Sequence, residues 1–214
     1  MLRPAVPLFA LSILAGAFIA FGAMFYTVVV TNSGLGFGPT RLLGGLAFSL
    51  GLVLVVVGGA ELFTGNSLLV MGWAHGKIKF SSMMRNWLFA YVGNSVGALS
   101  IAVLAYFSGY LNLGGEGVAA TVVKIATAKT QLSFFTTFVS GVLCNILVCL
   151  AVWLCFAAHT VTAKILAIVF PITAFVTLGF EHSIANMFFI PMGMFIAQDP
   201  SLTPYKALSK TSSP

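Results

Sequence analysis

The chain has 214 residues, of which 59% are hydrophobic and only 7% charged, with a formal net charge of +6. So few charges cannot solvate the surface of a water-soluble domain of this length, which leaves an integral membrane protein. The apolar stretches outrun the about 9–11 residues of a barrel strand and do not alternate with polar residues, so helices satisfy the backbone in lipid. The ten lysines and arginines are scattered, with no basic stripe interleaved with aromatics, and no nucleic-acid partner is expected.

The first span runs over about residues 7–30, enough to cross about 30 Å of hydrocarbon at roughly 1.5 Å per residue. Arg3 and Ala15-Gly16-Ala17 imitate a signal peptide and its cleavage site, but the apolar run continues to Val30, which favours an uncleaved span. Thr31 to Pro39 is a glycine-rich turn; it resembles a nucleotide loop only weakly, since no strand precedes it. Residues 40–73 form the second span, broken at 59–66. It begins near Thr40, carries Phe48 and Leu52 one turn apart, stops at Gly58-Gly59, and resumes from Ser67 to Trp73.

His75, Lys77, Lys79 and Arg85 then form the densest cationic loop, which the positive-inside rule sets in the cytoplasm together with the N-terminus. Arg41, Lys124, Lys129, Lys206 and Lys210 on the opposite side equal in number the five inside, Arg3, Lys77, Lys79, Arg85 and Lys164, so local density alone fixes the orientation. The third span covers about 82–106, with Gly93 and Gly97 on a small-residue packing face and Asn94 serving that packing. Ser108 to Thr130 reads as a polar loop, the longest in the chain. The fourth span covers 133–157, with Asn145 at its midplane. Its Cys144, Cys149 and Cys155 match no metal-ligand spacing and read as small membrane-helix residues. The fifth span, 163–196, is broken at 179–186.

The two breaks share a frame: Gly59-Ala60-Glu61-Leu62-Phe63-Thr64-Gly65-Asn66 and Gly179-Phe180-Glu181-His182-Ser183-Ile184-Ala185-Asn186 agree at Gly, Glu and Asn. Polar octets inside two apolar spans read as paired broken helices from an inverted repeat, meeting at a central site. The repeat places a counterpart of residues 82–106 at about 202–226. The chain reads instead Ser201-Leu202-Thr203-Pro204-Tyr205-Lys206 and ends at Pro214, so a third helix of the second repeat is expected to be missing.

Interrupting a helix in lipid is tolerated where protein or water replaces the lost hydrogen bonds, so the breaks should line a cavity. Each restarted half-helix turns a partly positive N-terminus inward, which suits a small anion. Thr64 adds a hydroxyl, Asn145 an amide, and His182 a group that can become cationic near neutral pH. A glutamate at membrane depth must be bonded or neutralised, so Glu61 and Glu181 are read chiefly as structuring their loops, by accepting loop amide bonds. His75 and His159 are loop residues. Phe48, Leu52 and Phe175 stand where they could pinch a pathway, although spacing fits ordinary helix packing equally. Lys129 could attract anions to a vestibule or simply be a solvated lysine.

Glu61 to Asn66, Cys144-Asn145-Ile146-Leu147-Val148-Cys149-Leu150-Ala151-Val152-Trp153 and Gly179 to Met187 closely resemble the formate/nitrite transporter family. The continuation Phe188-Phe189-Ile190-Pro191-Met192-Gly193 looks most like its formate channel branch. The resemblance implies an all-α, aquaporin-like integral membrane fold with five of the usual six spans present and the sixth missing. It also implies a homopentamer in the bacterial inner membrane, with a formate pore in each protomer, no cofactor and no metal. By resemblance Thr64 gates the pore with His182, Asn145 and Lys129 line the pathway, Phe48 and Leu52 form the cytoplasmic constriction and Phe175 the periplasmic one. Asn66 and Asn186 go with the two glutamates in structuring the loops. The short amphipathic helix that family members carry ahead of the first span has no counterpart in the six residues before Pro7.

Nitrite and hydrosulfide are too close to formate in size for the sequence to separate. A water or neutral-solute channel would also suit two half-helices, but the twin Asn-Pro-Ala motifs of that design are missing. An intramembrane enzyme built on His182 with Ser183 or Glu181 lacks a Gly-x-Ser-x-Gly elbow, and adjacent residues point in different directions.

Overall fold

A computed structural model describes residues 3–202. The expectations for Lys206, Lys210 and the stretch from Thr203 to Pro214 lie outside the described residues. Every regular element described is helical: α1 (Ala5–Val30), α2 (Phe37–Gly58), α3 (Leu69–Ala74) after a 3₁₀ turn (Asn66–Leu68), α4 (Phe80–Phe107), α5 (Gly117–Thr130) after a 3₁₀ turn (Tyr110–Asn112), α6 (Phe134–Ala157), α7 (Val161–Leu178) and α8 (Ser183–Gln198). Five of them, α1, α2, α4, α6 and α7, are long and apolar enough to cross a membrane. α2 starts at Phe37 rather than Thr40, because Pro39 needs no intrahelical partner for its nitrogen in the first turn.

α1 is the hub, flanked by α2 and α4 and touched by α5 and α8. Its approach to α4 depends on the small-residue face of α4: a Cβ on Gly97 would collide with the Ile13 carbonyl, and one on Gly93 with the Ser12 side chain. Close backbone contact of this kind supplies dispersion where lipid removes the hydrophobic drive between helices.

The segment read as a polar loop contains α5. Val118, Ala119, Val122, Val123 and Ala126 are buried on one face of it against α1 and α8, while Lys124 points outward. Glu116, Lys124 and Lys129 had suggested a loop; they lie off an apolar stripe with helical spacing.

Both breaks begin in the same way. Gly59 (φ 69°) and Gly179 (φ 80°) take the left-handed conformation that glycine alone adopts without strain. The next residue then folds back, Ala60 N–H donating to Val55 O at 2.9 Å and Phe180 N–H to Phe175 O at 3.0 Å. This is the Schellman termination, and it is why the glycine recurs at both places. The helices resume within the octets, at Asn66 and at Ser183, so the irregular backbone is shorter than the repeated motif.

Candidate functional site

α2 and α7 pack side by side in opposite directions, Gly45 against Thr173 and Arg41 against Thr177. Their glycine-capped ends therefore point to opposite ends of the pair, and the two breaks do not face each other across one central chamber. Each lines its own cavity. One, of about 310 Å³, is bounded by Arg41, Phe48, Lys129, Phe175, Glu181 and His182. The other, of about 360 Å³, is bounded by Arg3, Leu52, Glu61, Leu62 and Asn66.

Between them lies an enclosed space of about 10 Å³ lined by Ile19, Phe48, Leu52, Leu62, Val148, Ile172, Phe175 and His182. A space that small holds about one water molecule at most. Phe48, Leu52 and Phe175 all border it. Phe48 also borders the first cavity and Leu52 the second, so the two residues assigned to one constriction by resemblance face different cavities. The Phe175 ring stacks on the His182 imidazole at 5.7 Å, and Phe48 stands edge-on to both.

The breaks touch here. Thr64 Oγ1 and His182 Nε2 are 3.2 Å apart, both side chains buried. His182 is also the N-cap of α8, its Nδ1 accepting the Ala185 N–H at 3.1 Å. With Nδ1 an acceptor, the neutral ring carries its proton on Nε2, directed at the Thr64 hydroxyl.

The repeated glutamates and asparagines form equivalent clusters. Asn66 Nδ2 donates to Glu61 Oε2 and Asn186 Nδ2 to Glu181 Oε2, each at 2.8 Å. A cation completes each cluster: Arg3 Nε lies 2.9 Å from Glu61 Oε1, and Lys129 Nζ 2.8 Å from Glu181 Oε2. The carboxylates thus take side-chain amides and cations rather than the loop amides expected of them. The loop amides go elsewhere: Glu61 N–H donates to Leu11 O and Glu181 N–H to Ser140 Oγ. Lys129, expected either to draw anions to a vestibule or to be a solvated lysine, does border the first cavity, and its charge is paired there with Glu181.

The two asparagines on spans both depart from the parts expected of them. Asn94 does more than pack: its Nδ2 donates to the carbonyls of Ser12 and Glu61, and its Oδ1 accepts the Phe63 N–H, fixing the first break. Asn145 borders neither cavity nor the enclosed space. It faces a groove along α6 with Cys149, donates from Nδ2 to Ser67 Oγ at 3.1 Å, and leaves its buried Oδ1 without a partner.

Arg3, Arg41 and Ser140 carry contacts that sequence reasoning did not assign. Only Arg41 had a usable signal, a lone cation in the first turn of an apolar span.

A sequence model described as "Formate/nitrite transporter" matches residues 1–212. The chain is 45% identical over 184 residues to "Formate channel FocA" of Haemophilus influenzae, covering 86% of this chain and 65% of that protein. It is 43% identical over 190 residues to "Formate channel FocA" of Escherichia coli K12, covering 88% of this chain and 66% of that one. A solved "Pentameric formate channel with formate bound" superposes with a TM-score of 0.88 at 40% identity, over 96% of this chain and 81% of that chain. The chain thus spans about two thirds of the length of the curated relatives it matches. With a family match over nearly every residue and a backbone that superposes on a solved member, the chain belongs to the formate/nitrite transporter family.

Proposed function

We propose that the protein passes formate across the bacterial inner membrane, with its N-terminus in the cytoplasm. The observation that carries this reading is the contact of Thr64 with His182, where His182 borders a space of only about 10 Å³ between two cavities at opposite ends of α2. Formate sheds its water against Phe48, Leu52 and Phe175, and Thr64 and His182 supply the hydrogen bonds that replace it. Glu61, Asn66, Glu181 and Asn186 hold the two breaks in shape. Asn145 acts on the pathway through the first break, by way of Ser67. Proton coupling, where it occurs, runs through the Nε2–H of His182, because Nδ1 is engaged by α8.

The assembly is a homopentamer. Support comes from the pentameric neighbour and from the outer face of α6, where Phe134 is 87% and Phe135 75% exposed. The test is formate uptake into proteoliposomes by the unaltered chain and by His182→Ala and Thr64→Ala. Uptake that both substitutions change supports the pathway. No uptake by the unaltered chain, or uptake indifferent to both, rejects it.

A further inference from the structure

Among the described residues two ion pairs are present, Arg3 with Glu61 and Lys129 with Glu181. The first cavity is bordered by Arg41, Lys129 and Glu181, of which the last two form an ion pair at 2.8 Å. The net positive charge facing this cavity belongs to Arg41. Its guanidinium is half-buried at the start of α2 and lies 5.9 Å from the Phe37 ring. Nη2 donates to Val176 O at 2.9 Å and Nε to Thr177 O at 3.1 Å, while Thr177 Oγ1 donates to the Arg41 carbonyl at 3.3 Å. The arginine thus satisfies the last carbonyls of α7, where the helix dipole favours a cation. Those carbonyls are dipoles and leave its full charge uncompensated. They occupy two of five N–H donors, and the Tyr26 hydroxyl at the same cavity is a further hydrogen-bond partner, which leaves two donors for a ligand.

The geometry points to Arg41, rather than Lys129, as the cation that recruits the anion at this mouth and favours a planar two-oxygen anion of the carboxylate class. This inference rests on the transport reading. A guanidinium matches two oxygens on one plane bidentately, whereas an ammonium offers a point charge indifferent to ligand shape. Arg41 positions the ligand for entry; the narrowing at His182 lies deeper.

The experiment measures formate uptake in proteoliposomes at low and high ionic strength, with chloride as competitor, for the unaltered chain, Arg41→Gln and Arg41→Lys. Formate-dependent shifts in melting temperature are followed in parallel in detergent. Arg41→Gln should lower uptake about tenfold at low ionic strength and flatten its salt dependence. Arg41→Lys should restore most of the uptake and the salt dependence but lose preference for formate over chloride. A capping role alone would change the melting temperature of Arg41→Gln without changing the salt dependence, and that result overturns the inference. So does an Arg41→Lys variant that keeps its preference. Should Arg41→Gln fail to fold, the preference of Arg41→Lys decides. If the unaltered chain shows neither uptake nor a formate-dependent shift, the transport reading itself falls and takes the role of Arg41 with it. If it conducts and Arg41→Gln conducts alike at both ionic strengths, only the role of Arg41 falls.

Discussion

His182 joins the two breaks by using both of its ring nitrogens: Nε2 meets Thr64 Oγ1 at 3.2 Å, and Nδ1 caps α8 through the Ala185 N–H at 3.1 Å. One side chain therefore serves both the small space between the two cavities and the first turn of a helix. His182→Ala should lose both functions, lowering stability by about 1 kcal/mol for the cap alone. His182→Asn can still accept from the Ala185 amide and should recover most of that stability without recovering the wild-type transport. Thermal melts in detergent, set beside uptake, separate the two; equal stability of the Ala and Asn variants would remove the capping role.

The two glutamate clusters are built alike but sit in different surroundings. The side chains of Lys129 and Glu181 are 17% and 9% exposed, those of Arg3 and Glu61 51% and 18%. Removing one member of a largely buried pair strands a charge and should destabilise by about 3 kcal/mol or more, whereas an exposed pair contributes roughly 0–1 kcal/mol. Lys129→Met should therefore be far more damaging than Arg3→Met, and Glu181→Gln in the Lys129→Met background should restore part of the loss. Denaturant titrations of the four proteins give the answer; similar losses in the two single Met variants would contradict it.

Asn94 satisfies three backbone groups around the first break, and Asn145 leaves its own Oδ1 unpartnered. Each buried group stranded by truncation costs about 1–3 kcal/mol. Asn94→Ala should consequently be the more destabilising of the two and should raise amide exchange in residues 61–63. Hydrogen exchange read by mass spectrometry checks this, and equal exchange in both variants would argue against a clamp at Asn94.

Gly97 lies against the Ile13 carbonyl with no room for a Cβ. Gly97→Ala should force α1 and α4 apart and lower stability by about 1–3 kcal/mol, as overpacking does in a close-fitted interior. Gly38 faces open space, so Gly38→Ala should be nearly neutral. Melting temperatures of the two variants measure the contrast.

The sequence alone determined the parts of this protein that depend on local physics. Apolar length sets five helices able to cross lipid. The recurring Gly-x-Glu frame marks both interruptions, because glycine reaches the left-handed turn and because Glu and Asn five residues apart can bond across it. His182 and Thr64 were legible as a pair from the family motif. Contacts made across the fold decided the rest. The antiparallel packing of α2 and α7 carries the two breaks to separate cavities. Lys129 meets Glu181, which transfers the net charge of the first cavity to Arg41. Asn94 holds three backbone groups around a break and Asn145 meets it only through the Ser67 hydroxyl, although both are asparagines in apolar spans. The physical reason is that spacing along a helix fixes which face a residue occupies, while the charge or carbonyl waiting opposite that face comes from another element, brought there only by packing.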